Sequence, residues 1–524
     1  MVRCSSFVVH RKEKQRTTNN ERRTTNDEQM NGFIEIDRAE SNPFDCAAFI
    51  AERIGSADGH GEAISAISSR LAARGELDLA AQLADTIQDP HTRDIALVEI
   101  AARCAEFNDD EYAVQLAEAI EEYGFQQQAL SNIAVKQAER GAFEEALQTA
   151  ESLDDPFTTQ GEIALRFARR GEWERAEEIL SQIDLPTVRA QILNELALIK
   201  INQNEDAGEI LSESLAETEQ IEFVEERIQL LLELAARRIQ SAQNEQAFSI
   251  LENVGQLAAE LEGRFRDQVL TQISGLYAHA GNFEQAEKVL SPIADKQQTA
   301  LAHTAIALEH QAAGETEKAA QSLEEAYAVL KSQPEREIRD SRARFNLMAT
   351  IAVRLAQFGK PERAIETALE NPIDEMRSQA LGQIAAVCAA NGKNELASQA
   401  VNSIEDSAGR AAALVLVSDG EIKNGETEKS LQTLAEAHSL VEEVEQLPAR
   451  VGVLNDIAVR FVERGERERA REVLRENLEV IRIILDETQQ ATSLANTAEI
   501  YEKFDLELAD AEREILRMII RKKL

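Results

Sequence analysis

Large aromatic side chains are scarce in this 524-residue chain, where Phe, Tyr and Trp together make up 4% and Trp173 is the single tryptophan. The core must therefore be built mainly from Ala, Leu, Ile and Val, because apolar residues still account for 43% of the chain. Glycine (23 residues) and proline (9 residues) are also few. That is too few for the turns of many short strands, so we expect an all-α protein.

Basic residues are outnumbered, 56 against 95 acidic residues, which gives a formal net charge of −39. Such a charge repels phosphate backbones and anionic lipid surfaces, so we expect no nucleic acid and no membrane as partner. No run approaches the roughly 18 apolar residues that a membrane span needs, and no signal peptide is visible. The predicted location of this acidic protein is cytoplasmic.

Motifs that carry chemistry are missing as well. There is no phosphate-binding glycine loop, HExxH, GxSxG or CxxC sequence. The four cysteines are far apart, and we expect buried thiols rather than a disulfide framework. His303 and His310 would lie two helical turns apart, about 10.8 Å, which is too far to bind one metal ion directly. We therefore expect no metal, no cofactor and no enzymatic activity.

Composition divides the chain into segments. Residues 1–30 are polar, with seven basic and four acidic side chains, and are predicted to form a disordered N-terminal tail. Residues 31–61 are expected to contain a leading helix or cap, and residues 62–520 a repeat array. Residues 511–524 are expected to form a C-terminal capping helix whose basic end suits the negative end of the helix dipole.

A turn position recurs along the array and is usually filled by glycine. The residue eight before it is Ile, Leu or Val, the next residue is Ala or Ser, and another Ala or Ser stands five after the turn. The eleven anchors of this pattern are Gly75, Asn108, Gly141, Gly171, Ala242, Gly281, Gly314, Gly359, Gly392, Gly425 and Gly465. Two further units, near Asn204 and Phe504, follow it with a slip of one or two residues, so about thirteen units are predicted.

Each unit is interpreted as a helical hairpin. Glycine accepts the left-handed conformation that ends a helix, and asparagine is the next best residue there. An acidic residue stands three positions after every anchor, where the positive end of a second helix favours it by about 0.3–1 kcal/mol. That role explains these carboxylates better than a catalytic one. The two small residues, twelve positions apart, should meet where the two helices cross at a short distance.

The segments GNFEQAEKVL (281–290), GAFEEALQTA (141–150) and GEWERAEEIL (171–180) resemble the hinge of a tetratricopeptide repeat. The resemblance implies an α-solenoid, a right-handed superhelix of antiparallel helix hairpins whose first helices line a concave groove. Anchor spacings of 45 and 40 residues depart from the family standard of 34. We expect extended second helices there, with polar linkers such as residues 332–340. HEAT-type repeats rank second, because they do not explain the paired small residues.

The resemblance implies that groove-facing residues stand thirteen, nine or ten, six, and two or three positions before each anchor. The polar candidates in the sixth to eighth units are Gln229, Gln268, Gln272, His279 and Gln311. The alternative, that these are ordinary solvated helix faces, stays open. The basic set with which chaperone-binding members of the family grip a carboxylate is not evident.

The predicted function is a scaffold or adaptor that binds a protein or peptide partner in this groove. A regulatory or substrate-recognition subunit that works with a separate enzyme or sensor is the alternative, and an unrecognised enzyme ranks third.

Overall fold

The computed structural model describes residues 32–333 and 340–524, which form 28 α-helices and no strand. This confirms the all-α prediction, while the predicted tail (1–30) and most of the predicted linker (332–340) lie outside the described residues. None of the described helices has both the length and the apolarity to cross a bilayer. The described residues divide into two compact units, one within residues 1–166 and 444–524 and the other within residues 167–443.

The first unit combines the two ends of the chain. Its helices are α1 (Ile36–Ser41), α2 (Pro43–Ala51), α3 (Ala57–Ala73), α4 (Leu77–Ala84), α5 (Pro90–Glu106), α6 (Asp110–Ala119), α7 (Tyr123–Arg140), α8 (Phe143–Glu151), most of α9 (Phe157–Arg169), α25 (Leu447–Glu463), α26 (Arg467–Arg482), α27 (Glu487–Lys503) and α28 (Asp510–Arg521). The segment predicted as a leading cap thus holds α1, α2 and the first turn of α3.

The second unit contains the middle of the array. Its helices are α10 (Trp173–Leu180), α11 (Pro186–Asn202), α12 (Gly208–Thr218), α13 (Val224–Gln240), α14 (Asn244–Ala259), α15 (Gly263–His279), α16 (Phe283–Leu290), α17 (Lys296–Ala312), α18 (Thr316–Lys331), α19 (Ser341–Gln357), α20 (Pro361–Leu369), α21 (Asp374–Ala390), α22 (Asn394–Asn402), α23 (Ser407–Lys423) and α24 (Thr427–Leu440). A 3₁₀ turn, Val441–Glu443, follows α24.

The turn inside each hairpin has the predicted left-handed backbone. All eleven anchors have positive φ, from +59° to +94°, and the two slipped units turn at Asn204 and Asp505. At Gly141 the N–H donates to Ala138 O at 3.0 Å and the following Ala142 N–H donates to Gln137 O at 2.8 Å. This is the paired hydrogen bonding of a Schellman cap, which satisfies the last carbonyl groups of the first helix. The predicted thirteen turns are therefore confirmed.

The paired small residues form the crossing of each hairpin. The Ala or Ser residues seven before and five after every anchor are buried. Two serines show the contact directly, because Ser274 Oγ donates to Ala286 O at 2.9 Å and Ser430 Oγ donates to Ser418 O at 2.8 Å. The prediction that residues twelve apart meet is confirmed, and side chains this small let the two helix backbones come close together.

The unusually long units have long second helices, as predicted. Helix α18 has 16 residues and α24 has 14, whereas α16 has 8. A ladder of three ion pairs joins α18 to the next second helix, α20, and to the residues that cap its two ends. The pairs are Glu317–Lys360 (2.9 Å), Glu324–Arg363 (3.0 Å) and Lys331–Glu370 (2.8 Å). These pairs are partly exposed, so each adds at most about 1 kcal/mol, but together they fix the register of α18 against α20.

Buried aspartates on two first helices fix the start of the next hairpin. Asp267 Oδ2 accepts hydrogen bonds from the N–H groups of Ala294 (3.0 Å) and Asp295 (2.8 Å). Asp94 Oδ2 does the same for Glu121 (3.1 Å) and Glu122 (2.8 Å), and both carboxylates are almost fully buried. A carboxylate that accepts two backbone N–H groups holds the connecting loop in one conformation.

The two chain ends complete each other within the first unit. The main packing partner of α27 is α2 from the start of the chain, whereas α28 lies against α26, α1 and α2. All nine residues of α2 are buried. Arg517 Nε of α28 also pairs with Glu40 Oε2 of α1 at 3.0 Å. The last first helix therefore takes its hairpin partner from the N-terminal segment, and the C-terminal segment predicted as a cap is part of the same junction.

Enlarging a crossing residue tests the hairpin packing. Ala286 is fully buried, so Ala286→Leu is expected to overpack the crossing and lower the free energy of unfolding by about 1–3 kcal/mol. Urea denaturation followed by circular dichroism measures the change, with Ala312→Leu at an exposed position of α17 as the control. Equal stability of the two variants would contradict the crossing geometry.

The anchor Ala242 carries backbone strain that glycine would relieve. Its φ is +59°, a left-handed conformation that costs a residue with a Cβ atom about 1–2 kcal/mol. Relief of this strain is partly offset because glycine gives the unfolded chain more conformational entropy. Ala242→Gly is therefore expected to raise the free energy of unfolding by a net of about 1 kcal/mol. Ala280→Gly is the control, because Ala280 has φ −77° and should lose stability in the same thermal unfolding assay.

Candidate functional site: a face rich in amide side chains

The five predicted groove residues all lie on first helices of the second unit. They are Gln229 on α13, Gln268, Gln272 and His279 on α15, and Gln311 on α17. Gln229, Gln272 and His279 are exposed, and Gln268 and Gln311 are half-buried. His279 Nδ1 lies 3.0 Å from Glu309 Oε1 on the neighbouring helix α17. Their placement on these helices agrees with the prediction, and their part in binding stays a prediction.

A larger surface emerges when equivalent positions are compared along the array. On α15, α17, α19 and α21, the residues thirteen, nine and six before the anchor are all uncharged and all exposed or half-buried. We call these residues the amide surface, because five of them carry a carboxamide. They are Gln268, Gln272, Gly275, Leu301, Ala305, Leu308, Asn346, Thr350, Val353, Gln379, Gln383 and Ala386.

The lack of charge on the amide surface stands out in a chain of which 29% is charged. Carboxylates return on the first helices that flank it, with Glu233 on α13 and Asp419 on α23 at equivalent positions. Burial raises the pKa of Glu233, against the lowering effect of its hydrogen bond with Asn194. The amide surface therefore spans four consecutive first helices, and a carboxylate marks its end on each side.

Hydrogen bonds join these first helices side by side. Thr271 Oγ1 donates to Gln298 O at 3.2 Å, which links α15 to α17. Gln297 Nε2 donates to Asp340 O at 2.9 Å, which links α17 to the N-cap of α19. Helices α19 and α21 also pack against each other. Residues at equivalent positions of these helices therefore follow one another across a continuous face.

A cavity of about 210 Å³ opens on this face between α19 and α21. Ala349, Val353, Met376 and Ala380 contribute small or apolar side chains, and amide groups and a guanidinium surround them. The full lining is Asn346, Ala349, Thr350, Val353, Arg354, Gln357, Met376, Gln379, Ala380 and Gln383. No carboxylate belongs to it, so the cavity suits a segment that brings an apolar side chain and unpaired backbone groups.

Arg354 is the one charged residue of this lining. Its Nη1 donates to Gln357 Oε1 at 2.9 Å, and within the described residues no carboxylate pairs with it. The remaining N–H groups of this guanidinium can donate to an acceptor group of a bound molecule.

Sequence reasoning had missed part of this surface. Leu301 and Leu308 on α17 are 41% and 39% exposed, although they sit at groove positions. Gln379, Gln383 and Arg354 are not among the predicted residues either. The absence of charge at the same three positions of successive units is a signal for Leu301, Leu308, Gln379 and Gln383, whereas Arg354, five before its anchor, has no such signal.

The histidines hold separate positions, as the spacing predicted. His310 stacks on Phe283 with ring centroids 3.8 Å apart, and its Nδ1 lies 2.7 Å from Glu315 Oε2. His303 Nδ1 lies 3.5 Å from Glu325 Oε2, and burial lowers the pKa of His303 against the raising effect of nearby carboxylates. The described residues contain no group of three or more His, Cys, Asp or Glu side chains suited to a metal ion.

The cysteines inside the described residues are buried, as expected. They are Cys46, Cys104 and Cys388. Burial raises the pKa of the thiols of Cys46 and Cys388, so both stay protonated at neutral pH.

Comparison with known proteins finds similar solved structures only. No protein-family model matches this chain, and no curated protein sequence matches it. A crystal structure of a Thermococcus onnurineus protein matches with 14% identity and a TM-score of 0.30, over 65% of this chain and 99% of that chain. A signal-transduction ATPase with a tetratricopeptide repeat sensor from Pyrococcus horikoshii matches with 16% identity and a TM-score of 0.26, over 66% of this chain and 54% of that chain.

A third match is aspartyl phosphate phosphatase F from Bacillus subtilis, with 14% identity and a TM-score of 0.26, over 75% of this chain and 94% of that chain. At such identities a likeness concerns the helical architecture alone.

The half-buried His303 should make stability depend on pH. Because burial lowers its pKa in the folded state, folding favours the neutral ring, and this contribution is lost as pH falls through the unfolded value of about 6.5. Between pH 7.5 and 5.5 the wild type should therefore lose more unfolding free energy than His303→Gln. Urea denaturation at both pH values measures this, with His91→Gln at an exposed site as the control. An equal pH dependence of wild type and His303→Gln would contradict it.

Proposed function

We propose that this chain is a protein-binding adaptor, that its partner docks on the amide surface, and that it has no catalytic activity of its own. The observation that carries the proposal is the absence of charge at three equivalent positions of four consecutive first helices in a chain with net charge −39. Uncharged polar groups are cheaper to remove from water than carboxylates, so such a face is suited to being covered.

The amide groups point to an extended segment as the bound form. Each carboxamide offers a donor and an acceptor, which match the free N–H and C=O groups of a backbone that is not in a helix or sheet. Gln379 and Gln383 are one turn apart on α21, and Asn346 and Thr350 are one turn apart on α19. Both pairs line the same cavity, so a segment lying across it would meet hydrogen-bonding groups on both sides.

Apolar contact and charge add selectivity. Exposed Leu301 and Leu308 offer an apolar stripe beside the amides, and burying both would contribute favourable transfer free energy at about 25 cal/mol per Å². Arg354 adds a donor that is charged at any working pH. We expect a partner segment with apolar side chains and an acceptor group near Arg354.

Affinity purification with mass spectrometry tests the proposal on the full chain. A wild-type bait is compared with Leu308→Glu/Gln383→Glu, which places two carboxylates on the amide surface. A carboxylate that the bound protein covers has no counter-charge, and burying it costs several kcal/mol of binding free energy. The protein that binds the wild type specifically should therefore be depleted at least tenfold.

The control bait is Leu369→Glu/Gln321→Glu. It makes the same two substitutions at exposed positions of the second helices α20 and α18. It should retain the partner that the wild type captures. Loss of the partner from both double variants, or retention by both, would show that the amide surface is not the docking site.

A further inference from the structure

A second polar cavity lies in the first unit, where the chain ends meet. Helix α3 from the start of the chain runs beside α27 from its end. Arg70 Nη2 donates to Asn496 Oδ1 at 2.7 Å and pairs with Glu499 at 3.1 Å. At Gly59 an added Cβ would lie 2.6 Å from Thr488 Oγ1. The two helices are thus in close contact along a junction that we call the closing seam.

The cavity at the closing seam has a volume of about 240 Å³. Its lining comes from both ends of the chain, with Glu62 supplied by α3 and the remaining residues by or next to α25 and α27. The lining is Glu62, Pro448, Val451, Gly452, Asn455, Thr488, Gln489, Thr492, Ser493 and Asn496. The site is therefore complete only when the N-terminal helices are docked on the C-terminal ones.

A buried polar network holds the side chain of Asn455, one residue of the lining, in place. Asn455 Oδ1 accepts a hydrogen bond from Asn477 Nδ2 at 2.7 Å and lies 3.2 Å from Thr497 Oγ1. Asn477 and Thr497 are fully buried. Asn455 therefore keeps one orientation, and because its oxygen is engaged toward the core it is not among the acceptors of the cavity.

The charge of the cavity favours a cation. Glu62 is exposed, and within the described residues no basic side chain pairs with it or belongs to the lining. Arg70 reaches the lining at Asn496 but is already paired with Glu499. Val451, Gly452 and Pro448 offer apolar surface to an aliphatic stem, and acceptors come from Glu62, from the Gln489 amide and from the hydroxyl groups of Thr488, Thr492 and Ser493. Long basic side chains have this combination of an apolar stem and a charged donor end.

We propose that the cavity at the closing seam binds an arginine side chain of an extended partner segment, with Glu62 as the counter-ion. The occupant contacts α3, α25 and α27 together. Binding therefore stabilises the packing of α3 against α27 by mass action. This site is separate from the amide surface, and either proposal can fail without the other.

Calorimetric titration of the full chain with N-acetyl-Gly-Arg-Gly-amide at 150 mM salt tests the site. The wild type should bind it, and N-acetyl-Gly-Gln-Gly-amide should not. Glu62→Gln removes the counter-ion, and Gly452→Leu fills the cavity, since no atom lies within 4 Å of a Cβ added there. Each variant should weaken binding at least tenfold. Glu463→Gln, which changes the same charge at an exposed position of α25, should leave binding unchanged.

Two results would overturn the proposal. Equal weakening by Glu62→Gln and Glu463→Gln would mean diffuse attraction to an acidic protein, and unchanged binding by Gly452→Leu would place the probe elsewhere. Hydrogen exchange tests the coupling separately. The bound arginine probe should slow amide exchange in α3, residues 57–73, of the wild type, and unchanged exchange there at saturating probe would show that occupancy does not stabilise the seam.

Discussion

The close crossing of two helices at a pair of small residues is the constraint on which each hairpin depends. Second helices such as α16 have 8 residues, which is too short for a stable isolated helix in water. Their stability must come from packing, and packing at short distance requires Ala or Ser on both sides of the crossing. The left-handed turn then fixes the twelve-residue spacing that brings these two positions together, as the contact between Ser274 and Ala286 shows.

Features set by local chemistry were predictable from the sequence. Every anchor was found because a left-handed backbone excludes most side chains, and even Ala242 was placed correctly through its neighbours. The junction of the chain ends was not predictable. All residues of helix α2 are buried. Its apolar sequence indicates that other helices cover it, but does not identify those helices. Its partner α27 lies more than four hundred residues away, and no local pattern encodes that pairing.

The positions of the candidate site on each helix could be predicted from the sequence, but the number of helices that contribute to it could not. Counting back from each anchor selects one face of each first helix, because the helical period relates these positions, and the role of this face in binding stays a prediction. The choice of individual polar residues then stopped at Gln311, whereas the cavity lies on the next two first helices. The cavity exists because Ala349, Val353 and Ala380 are too small to fill the space between α19 and α21. That is a property of three-dimensional packing, not of one helix.

Net charge connects the two proposed sites to the rest of the molecule. With 39 excess negative charges, a generic surface repels acidic partners and attracts basic ones without specificity. Long-range attraction does not bring an acidic segment to the amide surface and the adjacent Arg354. A partner must therefore be selected there by hydrogen bonding and apolar contact. The cavity that holds Glu62 poses the opposite problem. Basic segments reach any part of an acidic surface, so only the shape of the cavity and the position of Glu62 in it can make one location preferred over the others.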